Sequence, residues 1–225
     1  MEKNKKKVIE SFNAISKTDS KLWNHNKHYY KRALKMIKIP NASVLDIGCG
    51  DGDFLSLCVY RGHKCTGVDF SQGMIEKARQ NTAAKNCEFI CGDIYDELPK
   101  FSDNSFDAVF SFATMHHLEY EKLLPALERV IKKSGFFCVV DILKSHTPLD
   151  YFYNICAVIP NIVKERIICR KAQQSEETRK LWKEHEKLDK YIKYGEIRDV
   201  IGKLGYNYRL RRLLYYRYML LILFY

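Results

Sequence analysis

No apolar run in this 225-residue chain is long enough to cross a bilayer; the longest, residues 219–224, falls far short of the roughly 20 residues a spanning helix needs. Residues 1–7 are charged but lead into no apolar segment of signal-peptide type, so a cytoplasmic location is expected. Eight cysteines occur without one C-x-x-C pair, which argues against a disulfide framework and leaves reduced, buried thiols as the expectation. Cys87 and Cys91 are four apart on a strand-like stretch, too far to share one ion, and His116 and His117 face opposite ways if extended. No metal is expected. Composition marks no second domain either: 46% apolar residues suffice for one core over residues 1–225.

An acidic balance is also lacking. The net charge is +11, and its distribution is uneven. Residues 1–40 carry 11 bases and three acids (+8), residues 41–145 carry 11 and 15 (−4), and residues 146–225 carry 16 and nine (+7). Basic flanks around an acidic centre fit an anionic partner such as nucleic acid or a membrane surface, or simply a solvated lysine-rich surface; without a nucleic-acid motif the last is preferred.

What is present is concentrated in residues 44–54. Val44, Leu45 and Ile47 read as a buried parallel strand that ends in Asp46 and runs into Gly48, Gly50 and Gly52 on alternate positions. A helix-like stretch from Phe54 follows, which places a nucleotide-like ligand at the turn. The dinucleotide spacing G-x-G-x-x-G is missing, because Asp53 stands where its third glycine belongs. A second strand ends in Asp69, whose carboxylate suits the two ribose hydroxyls of an adenosine and repels a 2′-phosphate.

The Asp46 to Gly52 loop with Asp69 resembles motif I of the class I S-adenosylmethionine-dependent methyltransferases. That resemblance implies an α/β fold with a Rossmann-like seven-stranded sheet, order 3-2-1-4-5-7-6 with strand 7 antiparallel, helices on both faces and an N-terminal helical cap. It implies S-adenosyl-L-methionine as cofactor and S-adenosyl-L-homocysteine as product. The implied cofactor contacts are Asp46, Gly48, Cys49, Gly50, Gly52, Asp69, Phe70, Met74, Asp93, Ile94, Ser111 and Phe112, with Ser71 as the N-cap before Met74 and Asp93 accepting the adenine amine. His116 and His117 follow strand 4, where small-molecule members often carry a histidine pair; either is a candidate base if the acceptor must lose a proton.

The flanks extend the likeness to a bacterial small-molecule subgroup of that family. Residues 23–30, with Trp23, His25, Tyr29 and Tyr30, resemble its N-terminal cap within residues 1–40; His25 and Tyr29 are then expected at the cofactor, and Trp23 and Tyr30 at the substrate beside His116 and Tyr151. Apolar positions at Tyr30, Leu34 and Ile37 predict a helix stopped by Pro40. After the cofactor-binding core (41–145), residues 146–195 read as substrate-cover helices: two short ones broken at Pro160, then a charged helix over 176–194 with Trp182 and Leu188 inward. A helix over 121–133 closed by Ser134 and Gly135 precedes strand 5 over 136–143, and residues 196–225 supply a last helix and a terminal hairpin.

The expected reaction is therefore in-line methyl transfer to a small molecule; an RNA or protein methyltransferase that uses the basic flanks is the alternative. The Asn/Asp-Pro-Pro-aromatic signature of base-amine enzymes and the Pro-Cys or Thr-Cys loop of cytosine C5 enzymes are both missing.

Overall fold

In the computed structural model, which describes residues 2–18, 25–82, 86–168 and 175–225 (side chains excepted at 2–4 and 159–168), strand β1 (Ser43–Ile47) lies at the middle of a seven-stranded sheet. Its partners are β2 (Lys64–Asp69) on one side and β4 (Phe106–Phe112) on the other, both parallel. With β3 (Cys87–Cys91), β5 (Ile131–Ile142), β6 (Asn207–Leu213) and β7 (Arg217–Leu223), the order is β3-β2-β1-β4-β5-β7-β6, and β7 alone runs antiparallel to its neighbours. This is the expected topology.

Alternate residues of β1 face opposite layers. Leu45 and Ile47 join a cluster with α6 (Tyr120–Val130) and α9 (Tyr194–Lys203), through Leu123, Leu124, Leu127, Ile197 and Ile201. Val44 faces the other cluster, with α2 (Lys27–Leu34), α3 (Asp53–Tyr60) and α4 (Gln72–Asn81), through Ala33, Phe54, Leu55 and Ile75. A strand buried on both faces needs a continuous apolar run, as residues 44–47 nearly are.

Four local expectations change. The helix before the core ends at Leu34, short of Pro40; Tyr30, Leu34 and Ile37 do pack on the second cluster, in which Tyr29 and Ala33 are the buried positions of this helix. Helix α6 ends at Val130, and β5 already starts at Ile131: Ser134 N–H donates to the Phe224 carbonyl (2.8 Å) and Phe224 N–H to the Gly135 carbonyl (3.1 Å), so β7 holds the segment in the sheet. Helix α7 (Pro148–Ile168) continues through Pro160, because a proline removes one backbone donor and the turns on either side sustain the helix. Helix α8 (Glu176–His185) is nine residues shorter than predicted; Ile192 is drawn to the sheet by its bridge to Leu143, with Lys144 N–H donating to the Ile192 carbonyl (2.9 Å).

Helix α1 (Glu2–Ser16) packs against α4 and α8. Among the described cysteines all thiols are free, and Cys49, Cys58, Cys65 and Cys138 are buried, whereas Cys91 and Cys156 are exposed. No helix among the described residues is long and apolar enough to cross a membrane.

Inside the α6/α9 layer Tyr120 and Tyr218 share a hydroxyl–hydroxyl bond of 2.8 Å, both rings being buried. Tyr218→Phe leaves the Tyr120 hydroxyl without that partner and is expected to cost about 1–3 kcal/mol in urea unfolding, whereas the Tyr120→Phe/Tyr218→Phe double variant should recover most of the loss. A single variant as stable as wild type would show that the pair contributes nothing.

Candidate active site

The carboxyl ends of β1, β2, β3 and β4 meet where the sheet order reverses around β1, the position at which doubly wound sheets bind ligands. The loop after β1 is left-handed at Gly48 (φ 72°) and Gly50 (φ 52°). At Gly48 a Cβ would lie 2.1 Å from Thr114 Oγ1, so only glycine lets the loop close on the turn after β4. At Gly50 a Cβ would meet nothing within 4 Å, and the backbone there is open to a ligand.

Asp69 organises this loop. Its Oδ2 accepts from Gly50 N–H (3.0 Å) and its Oδ1 from Ser71 N–H (2.8 Å). Burial pushes its pKa up to about 6, against the pull of those two donors. Asp46 is 2% exposed, its Oδ1 has no hydrogen-bond partner among the described residues, and burial, then Asp69, raises it well above the usual carboxylate range. An orphaned buried carboxyl oxygen beside an open glycine loop fits a ligand that brings polar groups.

Ser71 caps α4 as expected, its Oγ accepting from Met74 N–H (3.2 Å), and buries Met74 against the loop side of that helix. Asp93 caps α5 (Ile94–Glu97) by accepting from Tyr95 N–H (2.9 Å), and it is also paired with Lys5 of α1. Phe70 meets Phe12 of α1 edge-on with centroids 5.9 Å apart. Asn13 Oδ1 accepts from Ser71 Oγ (2.7 Å) and Gly73 N–H (3.2 Å). Helix α1 thus lies against the residues that follow β2 and β3.

Several predicted contacts are placed otherwise. Trp23 lies outside the described residues. His25 stacks on Tyr215 (4.7 Å), and the Tyr29 hydroxyl donates to the Leu214 carbonyl (3.0 Å), so both side chains pack on the β6–β7 turn instead of facing the glycine loop. Tyr30 takes the position expected of Tyr29: it packs on Phe54 and Phe112, and burial, then Asp46, Asp51 and Asp53, raises its hydroxyl well above the usual range. Ser111 is fully buried and donates to the Ile47 carbonyl (3.1 Å), which ties β4 to β1 and leaves its side chain no hydroxyl for a ligand. Phe112 is 7% exposed within that aromatic cluster. Tyr151 is 57% exposed on α7.

His116 and His117 fall in a tight 3-10 turn, residues 115–117, not in extended chain, and their ring centroids are 4.0 Å apart. His116 N–H donates to Asp141 Oδ2 (2.9 Å), and its Nδ1 lies 2.8 Å from Asp141 Oδ1. The sequence reading missed Asp141, His185 and Asp189. Asp141 is a polar residue in an apolar strand, the one signal that could have found it; His185 and Asp189 are four apart, but the predicted helix hid that the chain turns there.

A scan of known families matches residues 45–139 to the profile described as a methyltransferase domain. Among curated proteins, the demethylmenaquinone methyltransferase of Staphylococcus aureus is 34% identical over 166 residues, covering 69% of this chain and 67% of that protein. Among solved structures, a SAM-dependent methyltransferase from Aquifex aeolicus superposes with TM-score 0.59 at 20% identity over 87% of this chain and 89% of that one. Haemonchus contortus phosphoethanolamine N-methyltransferase 2, in complex with phosphomonomethylethanolamine and S-adenosylhomocysteine, gives TM-score 0.58 at 20% identity over 84% and 38%.

The sheet order and the glycine loop tied to Asp69 define a Rossmann-like transferase of the adenosyl-cofactor kind. With the curated relative, they show that the chain belongs to the class I S-adenosylmethionine-dependent methyltransferases, and its cofactor is S-adenosyl-L-methionine.

Asp69→Ala is expected to weaken S-adenosylhomocysteine binding by about 1.5–3 kcal/mol in calorimetry, the range for hydrogen bonds to a charged group. Because the ionised carboxylate is the better acceptor, wild-type affinity should fall as pH drops through about 6 and stay level above it, while Asp69→Ala should lose that dependence. Equal affinity in the two proteins would remove Asp69 from the ribose site.

Proposed function

We propose that this methyltransferase acts on a small molecule with an aromatic or apolar reacting portion. The observation that carries this reading is the aromatic cover on the site: Phe12 of α1 touches Phe70 (5.9 Å), Trp182 (6.4 Å) and His185 (4.3 Å), so two helices from opposite ends of the chain close over the strand ends. Such a roof favours a compact acceptor with an aromatic or apolar face. The Staphylococcus aureus relative, named for demethylmenaquinone, supports a small-molecule acceptor.

Some bases of the flanks, which an RNA enzyme would turn to its substrate, are directed at this protein's own acids. Lys5 pairs with Asp93, Lys27 with Asp53, and Arg212 Nε with Asp150 (2.6 Å).

When bound, S-adenosylmethionine supplies an already activated methyl group, displaced in line by an aligned nucleophile. The chain's own work is then to bind, orient and dry the site. Asp69 would accept the ribose hydroxyls, Asp93 the adenine amine next to the Ile94 N–H, and the Gly48 to Gly52 backbone would approach the ligand directly. Tyr30 closes the loop side, and the α1–α8 roof excludes water. His116 and His117 stand at the acceptor side, where the turn after β4 meets the roof.

Transfer of labelled methyl from S-adenosylmethionine should appear with a lipophilic metabolite extract and be absent with total RNA; labelling of RNA alone would overturn the small-molecule reading. Because α1 is docked through Asn13 and Lys5, saturating S-adenosylhomocysteine should also slow tryptic cleavage at Lys5, Lys6, Lys7 and Lys17. Cleavage at an unchanged rate would make α1 a packing helix uncoupled from the ligand.

A further inference from the structure

Four polar side chains from two separate segments converge behind the roof, and the three histidines stand farther from Asp189 than a good charge-assisted hydrogen bond. Asp189 Oδ1 lies 3.3 Å from His116 Nε2, 3.6 Å from His117 Nε2 and 3.4 Å from His185 Nε2. Charge-assisted N–H···O bonds run at about 2.7–2.9 Å. His116 Nε2, His117 Nε2 and Asp189 Oδ1 have no hydrogen-bond partner among the described residues, although the side chains are only 3%, 12% and 4% exposed. Three buried polar atoms left unpaired and aimed at one another are costly unless something sits between them.

We propose that His116, His117 and Asp189 bind a divalent transition-metal ion of the zinc class. The donor atoms of the first three already lie within 4.8 Å of one another. Tetrahedral zinc with bonds of about 2.0–2.1 Å sets its donors about 3.3 Å apart, close to the measured separations. Imidazole nitrogens with one carboxylate select zinc and its neighbours over magnesium or calcium, which take oxygen ligands.

The outer partners that such a site needs are in place. Asp141 holds His116 Nδ1 at 2.8 Å and is itself fixed by the N–H groups of His116 and Ile142 (2.9 and 2.6 Å), an arrangement that orients a histidine ligand through its far nitrogen. Ser11 Oγ lies 3.2 Å from His185 Nδ1 and holds that ring with its Nε2 3.4 Å from the Asp189 carboxylate. Spacing alone could not reveal the site, because its ligands come from the turn after β4 and from the end of α8.

The ion would sit beside the methyl-transfer cleft. Thr114, which abuts Gly48, is two residues before His116, and Phe12 bridges His185 to Phe70 next to Asp69. On the methyltransferase reading proposed above, an ion there would bind an acceptor oxygen and make its hydroxyl more acidic. The binding site itself does not depend on that reading.

The full chain, stripped with a chelator, is titrated with zinc against a chromophoric competitor. One equivalent per chain is expected to bind, and cobalt substitution should give the visible absorption of a tetrahedral site. Asp189→Asn and His117→Gln should abolish the stoichiometric binding, Asp141→Asn should weaken it about 10–100-fold, and His146→Ala, outside the cluster, should leave it unchanged. Zinc should raise the melting temperature of wild type and not of Asp189→Asn, which keeps the test valid where a variant is less stable. Absence of zinc binding to wild type, or binding that survives both Asp189→Asn and His117→Gln, overturns the proposal. S-adenosylhomocysteine calorimetry on the metal-free chain reports separately on the cofactor site.

Discussion

Asp69 accepts one N–H from the glycine loop and another from the start of α4, and most of the cofactor side depends on that double contact. The oxygen on Gly50 fixes the loop between β1 and α3; the oxygen on Ser71 fixes the cap of α4. Ser71 in turn donates to Asn13, which also takes the Gly73 N–H, so the docking of α1 is one hydrogen bond removed from the same carboxylate. The cost is a buried acid with its pKa near 6, held charged at neutral pH by two backbone donors. Functional sites commonly store that kind of tension, and a ligand that donates to the carboxylate relieves it.

The uneven charge of the chain acquires a structural meaning in the folded state. A central segment of net −4 carries its acids at the carboxyl ends of the strands, and the basic N-terminal segment folds back over them through Lys5 and Lys27. These pairs are partly exposed, so each contributes little to stability. Their effect is on placement: they bring α1 and α2 to the acidic side of the sheet, where a cationic cofactor is held. Two lysines of the basic N-terminal segment, Lys5 and Lys27, thus serve as internal complements to acids of the central segment.

How far the sequence could be read follows from how local each feature is. The loop from Asp46 to Gly52, the acid at the end of β2 and the Ser71 cap lie within short contiguous stretches governed by backbone geometry, and they fold as expected. Tyr29 and Tyr30 are adjacent on an eight-residue helix and pack on the same cluster, so which ring meets Phe54 and Phe112 and which meets the Leu214 carbonyl is set by tertiary neighbours that the sequence does not show locally. The helix predicted over 176–194 failed for a similar reason: local charge favoured helix, but pairing of Ile192 at the sheet edge is a tertiary contact. Ser111 looked like a ligand residue by position, and its hydroxyl was already needed by the Ile47 carbonyl.

The two halves of the site therefore differ in construction. On the reading proposed above, the cofactor half is made of consecutive βα turns, which a few glycines and acids suffice to announce. The acceptor half would then be assembled from residues 11–13, the turn at 115–117, Asp141 in β5 and the segment from Trp182 to Asp189, which are remote in sequence and meet because β4 and β5 are neighbours and α1 packs on α8. Of these, only the turn at 115–117 and the segment from Trp182 to Asp189 stand outside both the sheet and the Asn13–Ser71–Asp69 chain of contacts. A fold built this way keeps one methyl donor while its acceptor side diversifies, so the chemistry of the donor is legible from a short motif and that of the acceptor has to be sought in side chains brought together by the fold.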